Sequence, residues 1–180
     1  MSKKSDIAFF SFLVLILVTA DQFLKRIITY TMELYDQHYI IDNFFSFKFS
    51  IDYVVNTGSA FSFLADKSWG IYVLSIVSLI LGSIIMLFTL VAAGMGKKFL
   101  ASSFALISAG AFGNLVDRFT LKHVIDFLRF DFGSYTFPVF NFADICAVVG
   151  TLLIIFLILF KPKYFDEFLR KIGVGAKKHA

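Results

Sequence analysis

The sequence predicts a membrane all-α protein with a small β element. Four transmembrane helices carry an outer-face β-platform formed by two extramembrane segments. Three observations predict this. The 180 residues are 58% hydrophobic, with a mean hydropathy of +0.81, whereas a soluble domain is nearer half apolar. Four apolar stretches, at about residues 7–28, 69–93, 99–119 and 142–160, are each long enough to cross a bilayer. The segments between them, at about 29–68 and 120–141, are polar and aromatic and contain runs with the period of two of a strand. The chain therefore reads as a single integral membrane domain over residues 1–180, closed by a basic tail at 161–180.

Lys3 and Lys4 precede the first span. Val18-Thr19-Ala20 resembles a signal-peptide cleavage site, but apolar helical character continues through Phe23-Leu24 and Ile27-Ile28, which favours a retained span. Asp21 and Lys25 fall four apart, in the favourable order for an ion pair on one helix face. They lie near the far surface, either as a snorkelling surface pair or as a brace for a site there.

In the first extramembrane segment, Phe45, Phe47, Phe49, Ile51, Tyr53 and Val55 alternate with Ser46, Lys48, Ser50, Asp52 and Val54. This predicts a strand with one apolar face. Asn56-Thr57-Gly58 ends it as a turn. Ser59 to Leu64 is a short apolar piece suited to dipping into the bilayer interface. Trp69 opens the second span as an interfacial anchor, and Gly94-Met95-Gly96-Lys97-Lys98 is a basic turn.

The third span carries Ala101, Ala105, Ala109 and Gly113 every four residues, a small-residue ridge for close helix packing. One further step reaches Asp117, which therefore faces another helix. Beyond it, Val124, Asp126, Leu128, Phe130 and Phe132 alternate with His123, Ile125, Phe127, Arg129 and Asp131, predicting a second strand that turns at Gly133-Ser134. Asn141, three before Asp144, suits a helix N-cap at the start of the fourth span. After Lys161-Pro162-Lys163, residues 165–172 form either a short amphipathic helix or part of a solvated tail.

Lys3, Lys4, Lys97, Lys98, Lys161, Lys163, Arg170 and Lys171 fall on one side of this four-span arrangement, which the positive-inside rule makes cytoplasmic. Both strand segments, with Asp21, Asn56, Asp117, Asp126 and Asp144, then lie on or near the outer face. The composition gives no sign of nucleic-acid binding. His38, His123 and His179 are scattered, no metal-ligand spacing exists, and no cofactor is expected. The single Cys146 lies in an apolar span and reads as a small buried thiol.

Carboxylates at the ends of apolar spans are costly and point to function. Two that share a proton can hydrolyse an amide without a metal: one activates water, and the other donates a hydrogen bond to the scissile carbonyl. Asp144 with either Asp126 or Asp117 suits this chemistry. Asp126 has apolar neighbours and no adjacent cation. Asp117 is followed by Arg118 and sits beside Asn114, which suits a structural charge network. Ser59 and Ser62 lack a paired His, and Cys146 lies in the wrong setting for a nucleophile. A proton-coupled carrier and a structural membrane subunit are the non-enzymatic alternatives.

Four blocks carry a resemblance to a known family: Asp21-Gln22-Phe23-Leu24-Lys25, then Asn56-Thr57-Gly58-Ser59-Ala60-Phe61. Gly113-Asn114-Leu115-Val116-Asp117-Arg118 with Val124-Ile125-Asp126-Phe127 follows, and Phe137-Pro138-Val139-Phe140-Asn141-Phe142-Ala143-Asp144 is last. In this order they resemble the lipoprotein signal peptidases (signal peptidase II), polytopic aspartic peptidases of bacteria. The resemblance implies a catalytic dyad of Asp126 and Asp144. It implies a surrounding site of Asn56, Gly58, Asn114, Asp117, Arg118 and Asn141, supported by Asp21 and Lys25. It also implies diacylglyceryl-modified prolipoprotein substrates cut on the N-terminal side of the lipid-modified Cys, contact with membrane lipids, globomycin-like peptide inhibitors, and residence in the bacterial inner membrane. One departure is Lys122-His123, where the family pattern has Gly and often an aromatic.

Overall fold

A computed structural model describes residues 2–58 and 69–174. The apolar piece at Ser59 to Leu64 and the last residues of the tail lie outside the described residues. Among the described residues, four helices are long and apolar enough to span a membrane: α1 (Lys3–Thr31), α2 (Gly70–Gly94), α3 (Lys98–Thr120) and α4 (Phe142–Phe160). Their ranges agree with the spans expected from hydropathy to within a few residues, α2 starting at Gly70 with Trp69 as its N-cap. Helix α1 runs unbroken through Val18-Thr19-Ala20. Its 29 residues make it roughly 43 Å long, so it outreaches a hydrocarbon core of about 30 Å.

Helix α3 is central, with 56% of its apolar window buried against 17–22% for the other three. The small-residue ridge explains this. Ala101, Ala105 and Ala109 are buried, and their short side chains let neighbouring backbones approach. Gly150 of α4 answers from the other side: a Cβ there would sit 2.6 Å from the Ser103 carbonyl oxygen. Phe10, Val14, Leu100, Phe104 and Leu157 complete this core. Large apolar side chains such as Leu79, Ile80, Leu152 and Phe156 remain exposed on α2 and α4, as expected for surfaces that face lipid.

The two extramembrane segments build one antiparallel sheet in the order β1-β2-β3-β4, with β1 at Gln37–Phe44, β2 at Phe47–Asn56, β3 at Val124–Phe132 and β4 at Tyr135–Thr136. Strands β2 and β3 are those expected from the alternation, but Phe45 and Ser46 are not in β2. Both have positive φ and form the β1–β2 turn. Strand β1 was not foreseen. It is an edge strand, almost wholly exposed, and its pairing with β2 shifts register twice. The root of the sheet packs on the end of α1, where Ile125 and Phe127 meet Ile28 in a second apolar cluster.

After α4, the chain forms a fifth helix, α5 (Pro162–Lys171), with Pro162 in its first turn. Proline suits that position because its missing N–H would be unpaired anyway. Phe168 is buried against Phe88 and Phe104. The Lys97 Nζ donates to Glu167 at 2.7 Å and to the Tyr164 carbonyl at 2.8 Å. This part of the tail is therefore docked on the helices rather than solvated.

Candidate active site

The site forms where the far ends of α1 and α3, the start of α4 and the root of the sheet meet. Asp21 and Lys25 lie one turn apart on α1, and their side chains are 1–2% exposed. They are a brace and not a surface pair. The Lys25 Nζ reaches Asp21 Oδ2 at 2.8 Å, Asp117 Oδ2 at 2.8 Å and Asn114 Oδ1 at 3.0 Å. Asp21 Oδ1 accepts from the Ala143 N–H at 2.9 Å, and Asp117 Oδ2 from the Ile125 N–H at 3.2 Å. One ammonium and two carboxylates thus tie α1 to α3, α4 and β3. The contact requires Gly113, since a Cβ there would lie 2.8 Å from Asp21 Oδ2 and 2.9 Å from the Ala143 Cβ.

Asn141 caps α4 as its spacing predicts. Its Oδ1 accepts from the Asp144 N–H at 3.0 Å, and Asp144 Oδ2 accepts from the Asn141 N–H at 3.1 Å. This capping box satisfies two donors at the helix start and fixes the Asp144 carboxylate. The same Asn141 donates through Nδ2 to Asp126 Oδ1 at 2.6 Å and to Asn114 Oδ1 at 3.0 Å. Asn141 therefore touches both Asp126 and Asp144.

The remaining oxygens are also held. Asn114 Nδ2 donates to Asp144 Oδ1 at 2.8 Å, and Asn56 Nδ2 donates to Asp126 Oδ2 at 2.9 Å. Asn56 is itself oriented by the Gly58 N–H, which donates to its Oδ1 at 2.9 Å. Asp126 and Asp144 are thus gripped by neutral amides, and among the described residues no cation pairs directly with either. Burial pushes the Asp126 carboxyl up to about 6. The Asn56 hydrogen bond opposes that shift, and the nearby Asp144 charge adds to it.

Asp117 lies elsewhere. It is buried, bonded to Lys25, Gln22 and the Ile125 N–H, and does not line the groove. Its expected network with Arg118 is not formed: successive helix residues point in different directions. Arg118 instead donates to Ser78 Oγ at 3.3 Å and lines the groove. Its buried Nε meets no acceptor among the described residues. Gln22, which donates to Asp117 Oδ1 at 2.8 Å and to the Gly113 carbonyl at 3.1 Å, and Ser78 were not singled out from sequence. Their one signal was a polar side chain inside an apolar span.

Asp126, Asp144, Asn56, Asn114 and Arg118 open onto one groove of about 960 Å³. Its other walls are apolar: Phe130, Phe132 and Phe137 beside the sheet, and Ile145, Val148 and Val149 along α4. Two neighbouring carboxylates in an otherwise apolar groove suit proton transfer on an amphiphilic peptide.

The signal peptidase (SPase) II family profile matches residues 13–160. The chain belongs to the signal peptidase II family. It is similar to the lipoprotein signal peptidase of Psychromonas ingrahamii, with 37% identity over 78% of this chain and 79% of the relative. The lipoprotein signal peptidase of Geobacter sulfurreducens is 40% identical over 84% of this chain and 91% of its own length. A bacterial membrane enzyme solved by the in meso method at 2.3 Å superposes with a TM-score of 0.73 at 29% identity, covering 84% of this chain and 88% of that one. Family membership makes the chain a multi-pass bacterial membrane peptidase that cleaves signal peptides from lipoproteins. Helix α5 lies beyond the matched residues, as the sequence blocks ending at Asp144 led one to expect. Lys122, where the resemblance leads one to expect Gly, adopts φ +65°, the left-handed region that glycine enters without strain.

Proposed function

We propose that the chain is an aspartic endopeptidase that removes signal peptides from diacylglyceryl-modified prolipoproteins. It cuts on the N-terminal side of the lipid-modified Cys, with Asp126 and Asp144 as the dyad. The observation that carries this reading is Asn141, whose backbone and side chain hold both carboxylates that line one apolar groove. The raised pKa of Asp126 supports a pair that keeps one proton.

The ionised member takes a proton from water as the water oxygen attacks the scissile carbonyl carbon. The protonated member donates its proton to the carbonyl oxygen as the carbonyl carbon becomes tetrahedral. Collapse breaks the C–N bond and returns a proton to the leaving amine, which becomes the amino group of the lipidated Cys. Asn56, Asn114 and Asn141 hold the two carboxylates at fixed angles, and Gly58 orients Asn56. Asp21, Lys25 and Asp117 support that frame from beneath. Arg118 supplies a fixed positive charge at the groove wall.

The groove walls on α4 and beside the sheet take the acyl chains, so the substrate enters laterally from the bilayer, and globomycin-like peptides occupy the same groove. The basic ends at Lys3, Lys97 and Lys161 lie in the cytoplasm, as do both termini. The site then opens at the outer face of the inner membrane.

The test is cleavage of a diacylglyceryl-modified prolipoprotein beside its unmodified form. The modified form alone is expected to be cut, and Asp126→Asn and Asp144→Asn are each expected to abolish cutting while the protein still inserts. Substantial cleavage by purified Asp144→Asn protein would sink the proposal.

A further inference from the structure

The turn between β1 and β2 carries a feature that the groove does not use. Asn43, Phe45 and Ser46 have φ values of 60°, 50° and 62°. A hairpin usually places Asn and Gly at such positions, and a bulky aromatic there is a true outlier. The Phe45 ring is 90% exposed and the Phe44 ring 63%, and they pack edge-on at 4.9 Å. Two more exposed aromatics, Phe132 and Tyr135, lie at the same end of the sheet. Phe132 pairs with both Phe47 and Tyr135, and the Gly133 N–H donates to the Ser46 carbonyl at 2.7 Å. The chain thus accepts a disfavoured backbone in order to hold out rings that touch little of the protein.

The faces of the sheet say what those rings meet. Phe130 and Phe132 share the groove with Val148 and Val149, which lie more than one turn inside α4. The sheet and this exposed flank of α4 therefore form two walls of the same groove. Phe47 and Phe49 continue this apolar face through their pairing with Phe132 and Phe130. The opposite face carries charge: Arg129 reaches Asp131 at 3.1 Å and Asp52 at 3.6 Å, and Lys48 reaches Asp42 at 2.9 Å.

We propose that the β1–β2 tip, led by Phe44 and Phe45, is a membrane anchor. It inserts into the headgroup–acyl boundary of the leaflet on the sheet's side of the bilayer and holds the roof of the groove against the membrane. The occupant is lipid, because the apolar face that ends in this tip lines the same groove as Val148 and Val149, which are exposed on the membrane-spanning α4. Aromatic side chains favour that depth, and interfacial elements bury their apolar faces about 5–10 Å into it.

The proposal is independent of the peptidase reading and is tested without substrate. Trp69 is the chain's single Trp, so Trp69→Phe gives a silent background. Phe45→Trp and Lys48→Trp are then made separately in the full chain. Each protein is reconstituted into phosphatidylcholine–phosphatidylglycerol vesicles brominated near the glycerol end of the acyl chains. An unreactive Cys146 thiol, buried in the fold, reports that each variant is folded. Phe45→Trp is expected to lose about half its emission to the brominated lipid and to resist aqueous acrylamide. Lys48→Trp, on the opposite face of the same hairpin, is expected to do the reverse. Acrylamide quenching of Phe45→Trp without lipid quenching would overturn the anchor, as would equal lipid quenching of both variants.

Discussion

Replacing Lys25 by Met tests the frame beneath the site. The substitution removes the one ammonium that lies 2.8 Å from both Asp21 and Asp117 and leaves the two carboxylates without a counter-charge in surroundings 1–2% exposed. Deleting one partner of a buried ion pair costs about 3–5 kcal/mol. For a chain of this size each kcal/mol moves the melting temperature by about 2–4 °C, so Tm is expected to fall by about 6–20 °C. The assay is thermal unfolding in detergent, followed by reaction of a fluorogenic maleimide with the buried Cys146. The triple variant Asp21→Asn, Lys25→Met, Asp117→Asn removes all three charges and is expected to recover most of the loss, because an uncharged replacement of a buried pair is often near neutral. Lys25→Arg is expected to fail like Met, since a planar fork does not fit three acceptors converging on one point cation. A Tm for Lys25→Met within about 2 °C of the parent would refute the reasoning, which gives even the smallest loss as about 3 kcal/mol.

Three further outcomes follow. Asn141→Ala is expected to lose the α4 cap, costing about 0.5–2 kcal/mol, and to lower peptide cleavage about a hundredfold. Asn141→Ser keeps a capping oxygen but is too short to reach Asp126, so it should retain stability and still lose cleavage, and equal loss of both would refute the split. The pH dependence follows from the raised Asp126 carboxyl: the singly protonated pair is lost as pH rises through about 6. The basic limb of kcat/KM is therefore expected near that value, falling about tenfold per unit above it. The sign for stability is the same: the unfolded carboxyl ionises first, so the folded state loses up to about 3 kcal/mol between about pH 4 and 6, measurable by denaturation at each pH. Finally, Lys122→Gly is expected to relieve the left-handed backbone at φ +65° and raise stability by about 1 kcal/mol without changing cleavage, as read by the same thermal assay.

Some of this was legible from residue spacing, and the rest was not, for physical reasons. The four spans and the packing of α3 follow from hydropathy and from the four-residue ridge of Ala101, Ala105 and Ala109, because helix burial repeats at that period. Strand β1 stayed hidden because an exposed edge strand needs no apolar alternation. It is held by backbone hydrogen bonds to β2 and bends at its register shifts. The spacing of Asp21 and Lys25 foretold the pair but not its burial, which depends on Gly113 letting α3 and Ala143 close over it. The docking of α5 depends on Phe88 and Phe104 offering a seat for Phe168, information spread over three helices.

The contrast between the surroundings of Asp117 and Asp126 shows where sequence neighbours mislead. Arg118 follows Asp117, which invites a pair, but on a helix consecutive side chains diverge by about 100°. Asp117 turns toward Lys25 on α1, while Arg118 turns toward the groove. What separates the carboxylates is the charge type of their partners. Asp117 has an ammonium at 2.8 Å and a backbone N–H, a setting that commits it to an ion pair. Asp126 has two neutral amides and a second acid nearby, so it can lose or gain a proton without breaking an ion pair. Exchanging those settings should exchange the roles. A cation brought beside Asp126, as in Val54→Lys from the paired position on β2, is expected to lower the pKa of Asp126 and, if the proposed dyad is right, shift the basic limb below about 6. A limb left unmoved in a folded Val54→Lys protein would show that Asp126 is not the group titrating there.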